Sequence, residues 1–309
     1  MNEDRKMAFI NEYYEGSATS YMSIFKSVEA CEEHFQKDLC EISKQQLVPF
    51  LTNALGESYG TGVQRLAVLN KYYEYCWNHG FSGAQETHLS YSDIQKSHDI
   101  ARNMVGSPEM LHCILNNIFP SVSDGEYSNI LRCCIWLIFS GVKINDTASL
   151  RVCDINLDAM AITYRDSVLP IYNDAVEVLR FCMESNFITI RGPKGNYKKG
   201  RIDCDLLLRS FNPVSWEKLQ NGIAKHVKDS VKCGRCPVNI TCHTVWKSGI
   251  FYRTYLNDDD RILASAYSKE REPQVPKSAD KNAYKQYYNI KREYLAWESK
   301  FKLGNNIGV

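Results

Sequence analysis

The sequence predicts a mainly α protein of two domains, with a small β-sheet confined to the second. Three observations carry that expectation. Apolar residues recur at helical spacing along most of the chain. The period shortens to strand-like alternation only between about residues 155 and 191. A polar stretch rich in Gly, Ser, His and Gln separates a short helical block from a longer mixed one. The implied division is a helical bundle over 1–80, a linker over 81–106 and an α+β domain over 107–309. The 309 residues are enough for two cores.

In the first block, Ser17 or Thr19 caps a helix carrying Tyr21, Ile24, Phe25, Val28 and Phe35 on one side. A second helix covers Ser43 to Leu55, with a kink or start near Pro49 and a stop at Gly56. A third carries Val63, Leu66, Asn70, Tyr73 and Trp77 and ends at Gly80. The linker has room for a short helix near Ser92 to Met104. Ser107-Pro108-Glu109 then opens a helix, with Ser as N-cap and Pro in the first turn. The next helix, from about Glu126 to Ser140, is apolar nearly all round and belongs in the middle of a domain. Met160–Tyr164 and Val168–Ile171 form two short strands joined by a tight turn. Asn173 caps a helix with Val176, Val178, Leu179 and Cys182 inside. Phe187–Arg191 is a strand, and GPKGNYKKG a flexible basic loop. Helices follow near Ser215–Val231, Thr244–Tyr255 and Lys281–Phe301.

Composition excludes several classes. Apolar residues make up 44% and charged residues 24%, as in an ordinary soluble protein. No apolar run approaches the roughly 20 residues that cross a bilayer. MNEDRKMAFINEYY lacks the apolar block of a secretory signal. A cytoplasmic protein with no membrane partner is expected. Of the 12 cysteines, Cys133, Cys134 and Cys182 fall in apolar helical patterns, where a thiol acts as a small hydrophobe and stays reduced. Cys233 and Cys236 have the spacing of a zinc half-site, with Cys242 as a third ligand. Cys242 and His243 are adjacent, an awkward pair for one ion, so the bland alternative is a Gly-Pro loop with partly buried thiols. No Gly-rich phosphate loop, G-x-S-x-G elbow or H-E-x-x-H is present, and no cofactor is expected. The net charge of +1 hides an asymmetry. Residues 191–309 hold 23 Lys+Arg against 12 Asp+Glu, whereas 1–190 hold 14 against 24. A basic C-terminal third suits a polyanionic partner, although such charges are often only a solvated face.

Two segments carry a more specific signal. In SGVKINDTASLRVCDINLD, a small residue and an aliphatic precede Lys143, an acid (Asp146) follows three positions later, and Leu150, Asp154 and Ile155 lead into a strand. In CHTVWKSGIFYRTYL, His243 opens a helix and Trp246, Lys247, Ser248 and Gly249 follow. This frame resembles the tyrosine recombinases of the phage-integrase type, from about residue 9 to 302. The resemblance implies a SAM-like core-binding bundle, then a tyrosine-recombinase-like α+β domain. It also implies double-stranded DNA as partner, with a second copy or another recombinase subunit beside it. Lys143 stands at the first catalytic arginine and Trp246 at the second. His243 matches the box histidine, and Lys247 the position after the second arginine. Tyr284, ahead of Tyr287 and Tyr288, is the candidate nucleophile.

The chemistry makes the substitutions consequential. A phenol attacking a DNA phosphate builds negative charge on the phosphoryl oxygens, and two guanidinium forks stabilise it. Lysine is a point charge without the fork, and tryptophan carries no charge. Each missing arginine costs roughly 10²–10³ in rate on the scale of a lost oxyanion contact. DNA binding needs less, because Lys and Arg contacts to phosphates suffice. The contributors expected are Lys194, Lys198, Lys199, Arg201, Lys247, Arg253, Lys281 and Lys285. The leading expectation is therefore a DNA-binding, recombinase-like protein of a phage or mobile element that is catalytically degenerate. Two alternatives stand beside it. One is an active divergent recombinase using Tyr284, its site rebuilt by Arg253, Lys247 and Arg191. The other is a protein–protein adaptor that has lost DNA binding and docks through its acidic bundle. The bland reading of Tyr287, Tyr294 and Trp297 is helix packing.

Overall fold

A computed structural model of the chain describes residues 2–14, 16, 18–56, 58–81, 88–94, 99–120, 127–192, 195–210, 214–265 and 281–302. The mainly helical architecture with small antiparallel sheets is observed. Contacts divide the chain into two units, Met1–Arg102 and Asn103–Val309.

The first unit is a helical bundle with one helix the apolar pattern does not announce. Helix α1 (Glu3–Tyr13) starts where Asn2 Oδ1 accepts the Arg5 N–H at 3.1 Å. It buries Phe9 and Ile10 completely, and with them a charged residue, Lys6. Lys6 is inside because its ammonium meets Glu32 Oε2 at 2.5 Å. The single helix expected from Thr19 to Phe35 is two, α2 (Ala18–Ser27) and α3 (Glu29–Phe35), because Val28 leaves the helical region at φ −110°, ψ 4°. Ser17 lies outside the described residues. Helix α4 (Lys44–Ala54) begins with a capping box between Ser43 and Gln46 and contains Pro49 within it. Helix α5 (Tyr59–Asn78) buries Leu66, Leu69, Tyr72, Tyr73 and Cys76. Val63 and Trp77, expected on that face, are 39% and 54% exposed. Asn70 instead turns its amide to Leu89, donating to its carbonyl at 2.8 Å and accepting from its N–H at 2.7 Å. That tether draws part of the expected linker into the bundle. Leu89 and Ile94, the latter on α6 (Tyr91–Ile94), are buried in the first core.

The second unit is built around an apolar helix. Helix α7 (Pro108–Ile118) starts as the sequence indicates, with Ser107 Oγ accepting the Met110 N–H at 3.2 Å. Helix α8 (Tyr127–Ser140) is buried along most of its circumference and packs against α9 (Val176–Glu184), α10 (Trp216–Lys232) and α11 (Cys242–Asn257). Gly249 makes the α8–α11 contact close: a Cβ there would fall 1.8 Å from the Phe139 carbonyl oxygen. A 3-10 segment (Ile144–Ser149) leads to an antiparallel sheet of β1 (Ile155–Asn156), β2 (Ala161–Tyr164) and β3 (Ser167–Pro170). The two-residue turn between β2 and β3 puts Arg165 at φ +55°. The stretch expected to be a loop is a strand: β4 (Phe187–Gly192) pairs with β5 (Gly195–Gly200) along six residues. Helices α12 (Arg261–Ser265) and α13 (Lys281–Lys302) complete the unit. Trp297 on α13 donates Nε1–H to the Val105 carbonyl at 2.8 Å. Among the described residues no helix is long and apolar enough to cross a membrane.

Candidate nucleic-acid interface

The two family-like boxes end up in different surroundings. Lys143 follows the turn at Gly141 and precedes the 3-10 segment. Its side chain is half-buried and has no hydrogen bond or ion pair among the described residues. Its backbone N–H donates to Tyr164 Oη at 3.3 Å. Tyr164 in turn donates to Asp146 Oδ2, and Arg165 at the hairpin tip reaches the same oxygen at 2.6 Å. Burial alone would raise the Asp146 carboxyl, but Tyr164, Arg165 and Lys143 together hold it below the usual range. Tyr164 is pushed up to about 12, first by burial and then by its bond to Asp146. The guanidinium of Arg165 lies 5.3 Å over the Tyr164 ring. This is a solvent-facing polar cluster with two cations, Lys143 and Arg165. Sequence reasoning missed Arg165; the available signal was an Arg-Asp pair in a strand-to-strand turn.

The second box faces inward. Thr241 Oγ1 caps α11 by accepting the Thr244 N–H at 3.1 Å, which places His243 in the first turn with its ring edge exposed. Partial desolvation, then the Lys247 ammonium, lower the His243 pKa and favour neutral imidazole. Its ring stacks on Trp246 at 6.0 Å. Trp246 is 9% exposed, and its Nε1–H is buried without a partner among the described residues. Lys247, expected at the DNA or in catalysis, is buried with Nζ 2.5 Å from Glu293 Oε2 on α13. Its charge is already neutralised by Glu293, so the expectation is corrected: Lys247 joins α11 to α13. Ser248 is buried and ties in Val105 by accepting its N–H at 2.9 Å.

A second expected cation is corrected too. Arg201 spends its guanidinium on backbone carbonyls: Arg209 at 2.8 Å, Ser185 at 2.9 Å, and Phe181 and Leu207 at 3.3 Å. Desolvation lowers its pKa. It is a clamp under β4–β5, not a surface contact. Arg253 reaches back to Gly141, where a Cβ would lie 2.4 Å from Nη2. Desolvation lowers its pKa as well. Arg253 and Tyr172 line a groove of about 1010 Å³ between β2–β3 and the end of α11. Lys198 and Lys199 on β5, and Lys285 on α13, are exposed. Lys194 lies outside the described residues, as does the side chain of Lys281.

Tyr284 is 41% exposed on α13 and stacks with Tyr288 at 6.4 Å. Tyr287 is held otherwise, donating to Asp260 Oδ2 at 2.9 Å; burial and that bond raise its pKa. No hydrogen bond, ion pair or ring contact among the described residues joins Lys143, His243 and Tyr284. The cysteines do not gather either. Cys233 is exposed, the Cys236 thiol donates to the Val238 carbonyl at 3.3 Å, and Cys242 is in the core. Among the described residues no group of three His, Cys, Asp or Glu side chains is placed to hold a metal.

The helical bundle of the first unit is similar to a known core-binding domain. Residues 1–78 match the family model described as "MrpR, N-terminal core-binding domain". The relationship to tyrosine recombinases expected from the sequence holds in this unit. No curated protein matches the chain. Among solved structures, the crystal structure of XerA recombinase aligns over 93% of this chain and 98% of its own, at 13% identity and a TM-score of 0.38.

Proposed function

We propose that the protein binds duplex DNA through a recombinase-like scaffold without cutting it. It belongs, on this reading, to a phage or mobile element, a context supported by the sequence frame shared with phage-type integrases. The observation that carries the proposal is the fate of the second box. Where strand cleavage needs a charged fork at the phosphate, the chain has a buried Trp246 and a Lys247 neutralised by Glu293. At the first box Lys143 is half-buried and Arg165, 55% exposed, shares Asp146 with Tyr164; with the exposed lysines of β5 they are the cations that phosphates can reach. The core-binding domain matched by residues 1–78 supports the same reading.

A titration of the full chain against fluorescent duplex DNA tests it. Binding should weaken steeply with salt, log K falling by about 0.9 per log unit of salt for each phosphate neutralised. Absence of binding at low salt removes the proposal.

A further inference from the structure

Neither box accounts for the β4–β5 ribbon. Residues 187–200 hold Arg191, Lys194, Lys198 and Lys199 and no Asp or Glu. The register pairs Phe187 with Gly200, Ile188 with Lys199 and Thr189 with Lys198. Opposed residues share a face and successive residues alternate, so Phe187, Thr189, Lys198 and Gly200 lie on one side of the ribbon. Ile188, on the other side, is completely buried. That second face is covered at Ile188 and open at Tyr197, 53% exposed, and Lys199; the first is open at its base. Phe187 on it is 55% exposed, and Lys198 is exposed. Nothing lies within 4 Å of a Cβ built on Gly200, so the Phe187 ring is not covered by its cross-strand neighbour.

The ribbon has a rigid foot. Arg201 donates its backbone N–H to the Asn186 carbonyl at 2.9 Å, while its guanidinium gathers carbonyls from Phe181, Ser185, Leu207 and Arg209. Six-residue strands extend about 20 Å, and the major groove of B-DNA, about 12 Å wide, admits a two-stranded ribbon. A ribbon with cations and no acids suits a polyanion. An exposed Phe and a Thr between those cations suit base edges: apolar groups contact the thymine methyl, and a Thr hydroxyl contacts several bases.

We propose that the β4–β5 ribbon enters the DNA major groove with its Phe187, Thr189, Lys198 and Gly200 face leading, and gives the protein a base-reading element separate from both boxes. The inference rests on the DNA-binding reading above. Lysines fix the ribbon on the phosphate rails, and the leading face supplies sequence preference.

The test uses the full chain and a mixed-sequence duplex of about three helical turns. Gly200→Glu places a carboxylate on the leading face in open space, so the thermal midpoint should stay that of the parent. Its DNA affinity should fall about tenfold or more, whereas Gly200→Lys should bind at least as tightly as the parent. Lys198→Gln should lower the salt slope by about one. A duplex carrying glucosylated 5-hydroxymethylcytosine, which fills the major groove, should bind about tenfold more weakly; the minor-groove ligand netropsin should change nothing. If the parent binds DNA and Gly200→Glu or the glucosylated duplex binds as the parent pair does, the ribbon proposal is overturned alone. If the parent binds no duplex at low salt, the DNA-binding reading falls and takes the ribbon with it.

Discussion

The first box and the second box differ in which side of the water boundary they occupy. Asp146 and Arg165, beside Lys143, have side chains 31% and 55% exposed. Lys247 and its partner Glu293 are 5% and 3% exposed. The same kinds of charge therefore do different things. At the first box, cations are displayed around a carboxylate that solvent can reach. At the second, a cation is consumed holding two helices together. A charge at a family position thus carries no function by itself; the partner it meets decides whether a phosphate can use it.

The largest expected effect tests the sealed side of this comparison. Glu293→Ala leaves the Lys247 ammonium buried and unpaired, and should cost about 3–5 kcal/mol. Urea unfolding measures it, and a loss under about 1 kcal/mol contradicts the internal role given to Lys247. The companion double variant Lys247→Met/Glu293→Leu should recover most of that loss, since apolar residues can replace a buried pair.

A second, smaller effect concerns the helix contact that sets the depth of this box. Gly249→Ala drives a methyl into the Phe139 carbonyl and should cost about 1–3 kcal/mol or more by overpacking. A thermal midpoint equal to the parent's would show that α8 and α11 are not in that close contact.

The open side should give smaller values. Asp146→Asn should cost about 1 kcal/mol, since the pair is partly solvated. Its pH dependence has a defined sign. The folded-state pKa of Asp146 lies below its ordinary value, so its contribution is present above about pH 4 and disappears as the pH falls through the folded value. Parent and Asp146→Asn should converge in stability at low pH. A difference that grows on acidification would mean the Tyr164 and Arg165 contacts do not stabilise the carboxylate.

These contrasts also explain what the sequence could and could not announce. Local signals were legible: Ser107-Pro108 begins α7, the apolar run of α8 lies inside, and the β2–β3 hairpin turns within two residues. Partners far along the chain were not. Lys6 makes α1 look like a charged tail until Glu32, 26 residues on, neutralises it. Lys247 reads as surface until Glu293, 46 residues on, meets it. Arg201 is hidden by carbonyls, which no side-chain pattern displays. Strand β5 is masked because its lysines interrupt apolar alternation, and its pairing with β4 supplies what propensity lacks. Leu89 and Ile94 sit in a polar stretch, and distant partners bring it to the bundle: the Asn70 amide at Leu89, Lys44 at Asp93 and Tyr59 at Tyr91.

The most direct measurement is a covalent-adduct assay on nicked duplex DNA, resolved under denaturing conditions after binding has been verified in the same samples. Parent protein should bind the nicked duplex and leave no protein–DNA adduct, and Tyr284→Phe should bind equally well. An adduct formed by the parent and abolished in Tyr284→Phe would contradict the account, because it would require a working phosphate site where Trp246 is buried and Lys247 is paired.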